Sequence, residues 1–386
     1  MRRGGAIVER RRLGRTGVEV GAVGLGTEYL HGPSRETVVS VVRGAVEHGI
    51  DYFDVLWSFA EYLDNLGAGL KGVRDEVTLA LHLGCAETDG QYRLSHDVGE
   101  IAANFDDMLS RLRVGHADIL MVQWVDDDEG YARVRGAGGV LELARRLREE
   151  GKGRFIGLSS HVAPIAAKAA RSGEFDAIMF PINPAFDTLP TGTAFGDEED
   201  GARASEGAVE LNPERRRLYE VCAAENVGLV AMKPFAGGRF FQLSDEDRAG
   251  LTPVRLVSYA LSQVGVSTVV PGVKSREELE ELVRFPSARA EEKAFGAELA
   301  ASAWSLKGGC VYCNHCLPCP VGIDVGGTLR LAAAAEQGVS EEVRREYDAL
   351  PARASDCVEC GECVERCPFG VDVMEAMRRA AQVLEG

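Results

Sequence analysis

Eight cysteines between positions 310 and 367 fall into two groups of four, each closed by a Cys-Pro dipeptide. The first group is Cys310, Cys313, Cys316 and Cys319, and the second is Cys357, Cys360, Cys363 and Cys367. Ligands this close let successive thiolates turn toward one centre, and the proline after the last cysteine stops the chain from running on as helix or ladder. A stretch of this kind is built to fold around metal. Paired Cys-x-x-Cys motifs also make structural zinc sites, but zinc needs only four thiolates and gives no role to two Cys-Pro endings. The expectation is therefore two 4Fe-4S clusters held by these eight residues. Disulfides are not expected, because the spacing is ligand spacing and no secretory signal is apparent. Spacing alone leaves open which fourth cysteine completes which cluster.

The second group fits the run found in bacterial ferredoxins, whereas the first has two residues, not three, before its last cysteine. Residues 329–347, between the groups, are rich in Ala, Glu and Arg and are expected to be helical. The expected tail, residues 301–386, is thus a small, mostly helical ferredoxin-like domain that carries electrons.

Ahead of it, residues 1–300 have room for one large α/β barrel or two ordinary domains. The composition, 45% hydrophobic and 27% charged, is that of a globular protein. A net charge of −17 argues against nucleic acid or an anionic membrane as partner. The basic start, Arg2 to Arg12, leads into no apolar signal core, and no run of about 18 apolar residues is present to span a membrane. A cytoplasmic location is expected, in keeping with oxygen-labile clusters.

Within 1–300, apolar stretches at 21–26, 51–54, 77–83, 118–123, 154–158, 177–180, 228–232 and 267–270 read as strands. Helical patterns at 36–48, 96–112, 140–150, 213–225, 253–263 and 276–283 fall between them. Eight strands alternating with helices predict a TIM (β/α)8 barrel with its active groups at the strands' C-terminal ends. The open doubly wound sheet is disfavoured, since no Gly-x-Gly-x-x-Gly opens a helix after an early strand. The acidic stretch 187–212 follows the sixth strand and is expected to be a substrate lid or a disordered insertion.

Several of these stretches resemble the aldo/keto reductase family in motif and in order. They are Arg12-Leu-Gly-Arg-Thr-Gly17 with Val23-Gly-Leu-Gly-Thr27, and Gly49-Ile-Asp-Tyr-Phe-Asp54 with Leu66-Gly67 behind it. The run from Glu149 to Ser160, Met232-Lys-Pro-Phe-Ala-Gly-Gly238 and Val269-Val-Pro-Gly-Val-Lys-Ser275 complete the series. The tail resembles that of a branch of the family with a C-terminal 4Fe-4S ferredoxin-like domain. The resemblance implies a barrel that binds NADP(H) without a Rossmann fingerprint and an Asp, Tyr, Lys, His tetrad that protonates a carbonyl as hydride arrives. Asp54 matches the aspartate, but Phe59 stands at the tyrosine position, His82 at the lysine and Gln123 at the histidine. Phenylalanine has no proton to give, so the family mechanism cannot run unaltered. The expected catalytic set is Asp54, His82 and Gln123: an Asp–His acid–base pair with an amide to hold substrate oxygen. A decayed site on a scaffold barrel is the other reading.

By the same resemblance, Lys233, Phe235, Gly237, Gly238, Gly272, Lys274 and Ser275 would hold the pyrophosphate and adenosine ends of NADP(H). Ser159 and Ser160 would face the nicotinamide, with Met179 where a glutamine usually reads the carboxamide. His161 at the fifth-strand mouth and Trp57 and Trp124 past strands two and four either line a pocket or pack. Cys85 and Cys222 lack ligand-spaced partners and read as buried thiols. The expected function is an oxidoreductase for a small carbonyl or hydroxyl compound, a sugar among the candidates, with an electron-donor protein as partner. Nicotinamide passes hydride while the clusters pass single electrons, and no flavin signature bridges them. Two other classes stay open: a redox-neutral lyase or isomerase using Asp54 and His82 with structural clusters, and an electron-transfer subunit.

Overall fold

Strands buried on both faces and flanked by amphipathic helices satisfy their backbone and hide their apolar surface by closing into a parallel barrel. The computed structural model describes residues 8–187, 211–243, 250–295, 309–336 and 338–386. The barrel strands are β3 (Leu25–Gly26), β4 (Tyr52–Val55), β5 (Thr78–Leu83), β8 (Ala117–Val122), β9 (Gly153–Ser159), β10 (Ala177–Pro181), β11 (Gly228–Met232) and β12 (Val266–Val270). They form one sheet in the order β12-β11-β10-β9-β8-β5-β4-β3. Parallel bridges from Val23 to Val269 and from Gly26 to Gly272 join its two edges. The Gly24 N–H donates to the Val269 carbonyl at 2.7 Å and the Gly26 N–H to Pro271 at 2.9 Å. The eight expected strands and the barrel class are those seen. Each strand lies within about two residues of its window except the first, where continuous ladder pairing is confined to Leu25–Gly26.

Inside the barrel, Tyr52, Ala80, Ile119, Met121, Met179, Val230 and Val270 form one apolar cluster. An antiparallel hairpin, β1 (Arg10–Arg12) with β2 (Glu19–Gly21), closes the N-terminal end. Its Leu13 and Val20 are buried in the same cluster, and the Arg15 N–H donates to the Asn226 carbonyl. Stability is thus built at the bottom of the barrel, which leaves the C-terminal ends for chemistry.

A second hairpin, β6 (Cys85–Thr88) with β7 (Gln91–Leu94), rises from the C-terminal end of β5 and was not expected. It turns on Asp89 and Gly90, both at positive φ, the pairing that a two-residue hairpin turn demands. Its Gln91 amide grips the tail, donating to the Cys319 carbonyl at 3.0 Å and accepting from the Cys319 N–H at 2.9 Å.

The tail folds into helices Val325–Ala334, Glu341–Asp348, Glu362–Glu365 and Val373–Glu385. The single helical stretch expected over 329–347 is corrected to two helices. Gly338 at φ +124° breaks the run, and Ser340 starts the next helix by accepting from the Val343 N–H. One apolar cluster spans tail and barrel, joining Phe186, Phe240 and Leu256 to Val311, Leu317 and Leu329. Burying each such Phe or Leu is worth about 1.5–3 kcal/mol. Among the described residues no helix is long and apolar enough to cross a membrane. The expected boundary at 300/301 lies outside the described residues, as do residues 188–210 of the expected lid; the ends of that stretch meet, the Asn212 N–H donating to the Asp187 carbonyl at 2.8 Å.

Candidate active site and cluster-binding tail

Asp54 pairs in register with Ala80 across β4 and β5, and side chains two apart on a strand share a face, so His82 comes up beside Asp54. His82 Nε2 lies 2.9 Å from Asp54 Oδ1, with the two side chains 3% and 13% exposed. A carboxylate can only accept, so the neutral imidazole carries its proton on Nε2 and presents the Nδ1 lone pair. Nδ1 is buried and has no partner among the described residues. Gln123, just past β8, donates from Nε2 to the Tyr92 hydroxyl at 2.7 Å, while its Oε1 is buried and unpartnered among the described residues. The expected trio therefore shares the C-terminal end of the barrel. Buried polar atoms without partners are costly, about 1–3 kcal/mol each, and mark places where a ligand or water completes the bonding.

Phe59, at the position of the family's acid, is covered by His31, whose ring stacks on it at 4.3 Å. Burial pushes the His31 imidazole below its ordinary value, so it is neutral at pH 7. Trp57 stands edge-on to Tyr92 at 4.9 Å and completes a wall of rings with Phe59.

A second Asp–His pair lies past β8 and β9. His161 Nδ1 is 2.9 Å from Asp126 Oδ2, and the His161 N–H donates to Asp126 Oδ1 at 2.6 Å. The Ser160 hydroxyl, expected to face nicotinamide, donates to the same Oδ1 at 3.1 Å. Burial pushes the Asp126 carboxyl up, but His161 and these hydrogen bonds outweigh it and hold it below the ordinary carboxylate value. Ser159 is buried, and its carbonyl accepts from the Val125 N–H at 3.0 Å.

The expected cofactor loops have found partners within the chain. A Cβ on Gly237 would lie inside the contact distance of the Val311 carbonyl, so the tail's backbone rests on that glycine. A Cβ on Gly272 would meet the ring of Tyr29. Lys274 reaches Glu278 with its N–H at 2.8 Å and its Nζ at 4.0 Å, and the Ser275 hydroxyl caps the helix Arg276–Leu282 by accepting from the Glu278 N–H. Phe235 packs on Phe241, and a Cβ on Gly238 would meet none of the described residues. Lys233 is at φ +52° with its charge bearing on Cys313 and His315. Gly237, Gly272, Lys274 and Ser275 thus each have a close neighbour within the chain, and Gly238 has none among the described residues.

The eight cysteines of the tail fit iron–sulfur ligation. Burial, then Cys313 and Cys367 among its neighbours, pushes the Cys310 thiol up to about 12. Cys313 and Cys316 are pushed up as well, by burial first and with Cys367 among their neighbours. Cys319 lines a cavity together with Cys316, Cys357, Cys360 and Cys363. Arg366 ties the motifs, donating from Nη1 to the Cys316 and Pro318 carbonyls at 3.3 and 2.8 Å. The thiols stand around a space: among the described residues no three His, Cys, Asp or Glu side chains converge on a single-ion site. Thiols pushed this far up are neutral when free and become thiolates when iron binds.

The first cysteine loop sits at the barrel mouth. His315, between Cys313 and Cys316, packs its ring at 3.9 Å from that of Trp124 and 4.7 Å from that of His161. Phe369 closes on His161 at 5.5 Å. Along this seam Trp124, Lys233, Ala236, Tyr312 and Asn314 all have positive φ, a conformation that costs a non-glycine residue about 1–2 kcal/mol. Sequence reasoning missed Tyr92, Asp126, His31, Tyr29 and His315. The Asp-Gly turn was a signal for Tyr92's hairpin; Asp126 was hidden in the acidic run Asp126-Asp-Asp-Glu129, and His315 inside the cysteine motif.

The aldo/keto reductase family model matches residues 18–191, and a 4Fe-4S dicluster domain model matches residues 308–371. L-galactose dehydrogenase of Arabidopsis thaliana is 31% identical over 160 residues, 39% of this chain and 48% of that protein, so the chain spans about half of that relative. The uncharacterized oxidoreductase YqkF of Bacillus subtilis is 22% identical over 295 residues, 73% of this chain and 92% of its own length. Among solved structures, the aldo-keto reductase AKR11C1 of Bacillus halodurans superposes with a TM-score of 0.57 at 18% identity, over 78% of this chain and 96% of that one, a likeness of fold. The barrel with its strand-end site is accordingly similar to the aldo/keto reductase family over residues 18–191, and the cysteine-rich tail behind it to 4Fe-4S dicluster domains over residues 308–371.

Proposed function

We propose that the protein is an oxidoreductase for a small carbonyl or hydroxyl compound, with Asp54 and His82 as its acid–base pair and Gln123 as a hydrogen-bonding group. The observation that carries this reading is the Asp54–His82 bond at 2.9 Å with His82 Nδ1 buried and unpartnered among the described residues. When protonated, Nδ1–H would give its proton to a carbonyl oxygen; when neutral, Nδ1 would take one from a hydroxyl. Asp54 fixes the tautomer and steadies the imidazolium, as in other Asp–His pairs. The relative named L-galactose dehydrogenase makes aldoses the first substrate class to try. Two 4Fe-4S clusters, one on Cys310, Cys313, Cys316 and Cys367 and one on Cys319, Cys357, Cys360 and Cys363, would supply single electrons from a donor protein. In this reading the barrel is residues 1–300 and the tail 301–386.

The test is His82→Ala in anaerobically purified, cluster-loaded protein, assayed on aldoses and short aldehydes with reduced methyl viologen. General acid–base catalysis contributes about 10²–10⁴-fold, and turnover should fall by that much. Turnover unaffected by the change sinks the assignment. A second reading, an electron-transfer subunit whose barrel binds a partner protein, is favoured by the burial of the trio's polar groups, with His82 4% and Gln123 7% exposed. Under it, His82→Ala would change no turnover while the clusters still took electrons from the donor.

A further inference from the structure

Most of the glycines, serines and lysines expected to hold a dinucleotide are engaged elsewhere, and the tail's first cysteine loop is what meets Gly237. Val311 lies on Gly237, which has no room for even a methyl group there. His315 enters the mouth between Trp124 and His161. Tyr29 covers Gly272. Ser160 is turned to Asp126, and Lys233 stands beside Cys313 and His315. The left-handed residues on both sides of this contact, Lys233 and Ala236 on the barrel and Tyr312 and Asn314 on the tail, show backbones bent to meet each other.

We propose that the segment Val311–His315 stands where a nicotinamide dinucleotide would lie, so that this barrel works with one-electron carriers through its own tail and not with NADP(H). The inference rests on the oxidoreductase reading for its chemistry, but its structural content is separate from the role of His82. Reduction of a carbonyl then draws two electrons from an external one-electron donor, which is oxidised twice, and two protons. The C=O π bond is lost, O–H forms with a proton from His82 Nδ1, and C–H forms with one from solvent. Oxidation of an alcohol returns the two electrons, one at a time, to two equivalents of oxidised carrier, and the two protons to His82 Nδ1 and solvent.

The experiment is calorimetry of NADPH and NADH against anaerobic, cluster-loaded full-length protein, paired with hydrogen exchange in two glycine variants. No saturable heat is expected for either nucleotide at Kd values tighter than about 1 mM. Saturable binding in the micromolar range overturns the proposal and leaves the His82 assignment standing. Gly237→Ala and Gly238→Ala both place a side chain at positive φ, but only the first collides with Val311, since a Cβ at Gly238 meets none of the described residues. Exchange over 310–316 should therefore rise at least about tenfold in Gly237→Ala over Gly238→Ala, the readout of a displaced loop. Equal exchange in the two variants overturns the seating of Val311. His82→Ala without effect in the viologen assay, alongside absent nucleotide binding, would remove the acid–base reading and keep this one.

Discussion

Replacing Gln91 with alanine removes a clamp that can be weighed from its geometry. The Gln91 amide donates to the Cys319 carbonyl at 3.0 Å and accepts from the Cys319 N–H at 2.9 Å, bridging a barrel hairpin to a cluster ligand 228 residues away. Each neutral hydrogen bond of this kind is worth about 1 kcal/mol net, so the pair is worth about 2 kcal/mol. At about 1.4 kcal/mol per decade, the local opening equilibrium around Cys319 should rise about 30-fold. Hydrogen exchange of anaerobic, cluster-loaded protein reads this directly, because the Cys319 N–H is one of the two bonds lost. The hairpin at Arg10–Gly21, on the far end of the barrel, is the internal control and should not change. An increase at Cys319 under about threefold would refute the argument, for it would mean that iron ligation alone fixes the loop.

Asp54→Asn keeps an acceptor for His82 Nε2 but removes the charge, and turnover should fall by about 10²-fold with KM little altered. Asp126, held below the ordinary carboxylate value by His161, contributes stability that is full above the unfolded carboxyl pKa and lost as pH falls through its lower folded value. Asp126→Asn should therefore flatten the acid limb of the denaturant midpoint below about pH 4; an acid limb as steep as the parent's counts against the pair. Cys367→Ser should remove the same cluster as Cys310→Ser, and Cys319→Ser the same one as Cys357→Ser, each leaving about four irons per chain by metal analysis and a distinct electron-resonance signal. If Cys367→Ser and Cys357→Ser leave the same signal, the exchanged pairing is wrong.

The barrel was legible because its strands are short apolar runs whose length and spacing allow little else, and the windows at 77–83 and 228–232 nearly coincide with β5 and β11. Local signals that were present but unread explain the errors. Asp89-Gly90 marks a hairpin between alternating residues, and Gly338 followed by Ser340 marks a helix stop and a helix start. The site was legible in part for a different reason. Asp54 and His82 meet because strand register carries sequence position into space, whereas Asp126 meets His161 through two loops of no regular register. The seating of Val311 on Gly237 and of His315 on Trp124 joins positions far apart in sequence through packing alone, and no periodicity encodes it.

The apolar cluster shared by Phe186, Phe240 and Leu256 on one side and Val311, Leu317 and Leu329 on the other bears on how the molecule comes apart. A tail attached by a linker melts at its own temperature and can be exchanged between hosts like a cartridge. Here the barrel keeps a core of its own but the tail shares its cluster with the barrel, so calorimetry of the loaded protein should show one endotherm, and a separately expressed barrel should precipitate on the face it would normally hide. Loss of iron would then be felt as loss of solubility, and the inorganic groups act as fasteners for a fold that is otherwise all protein.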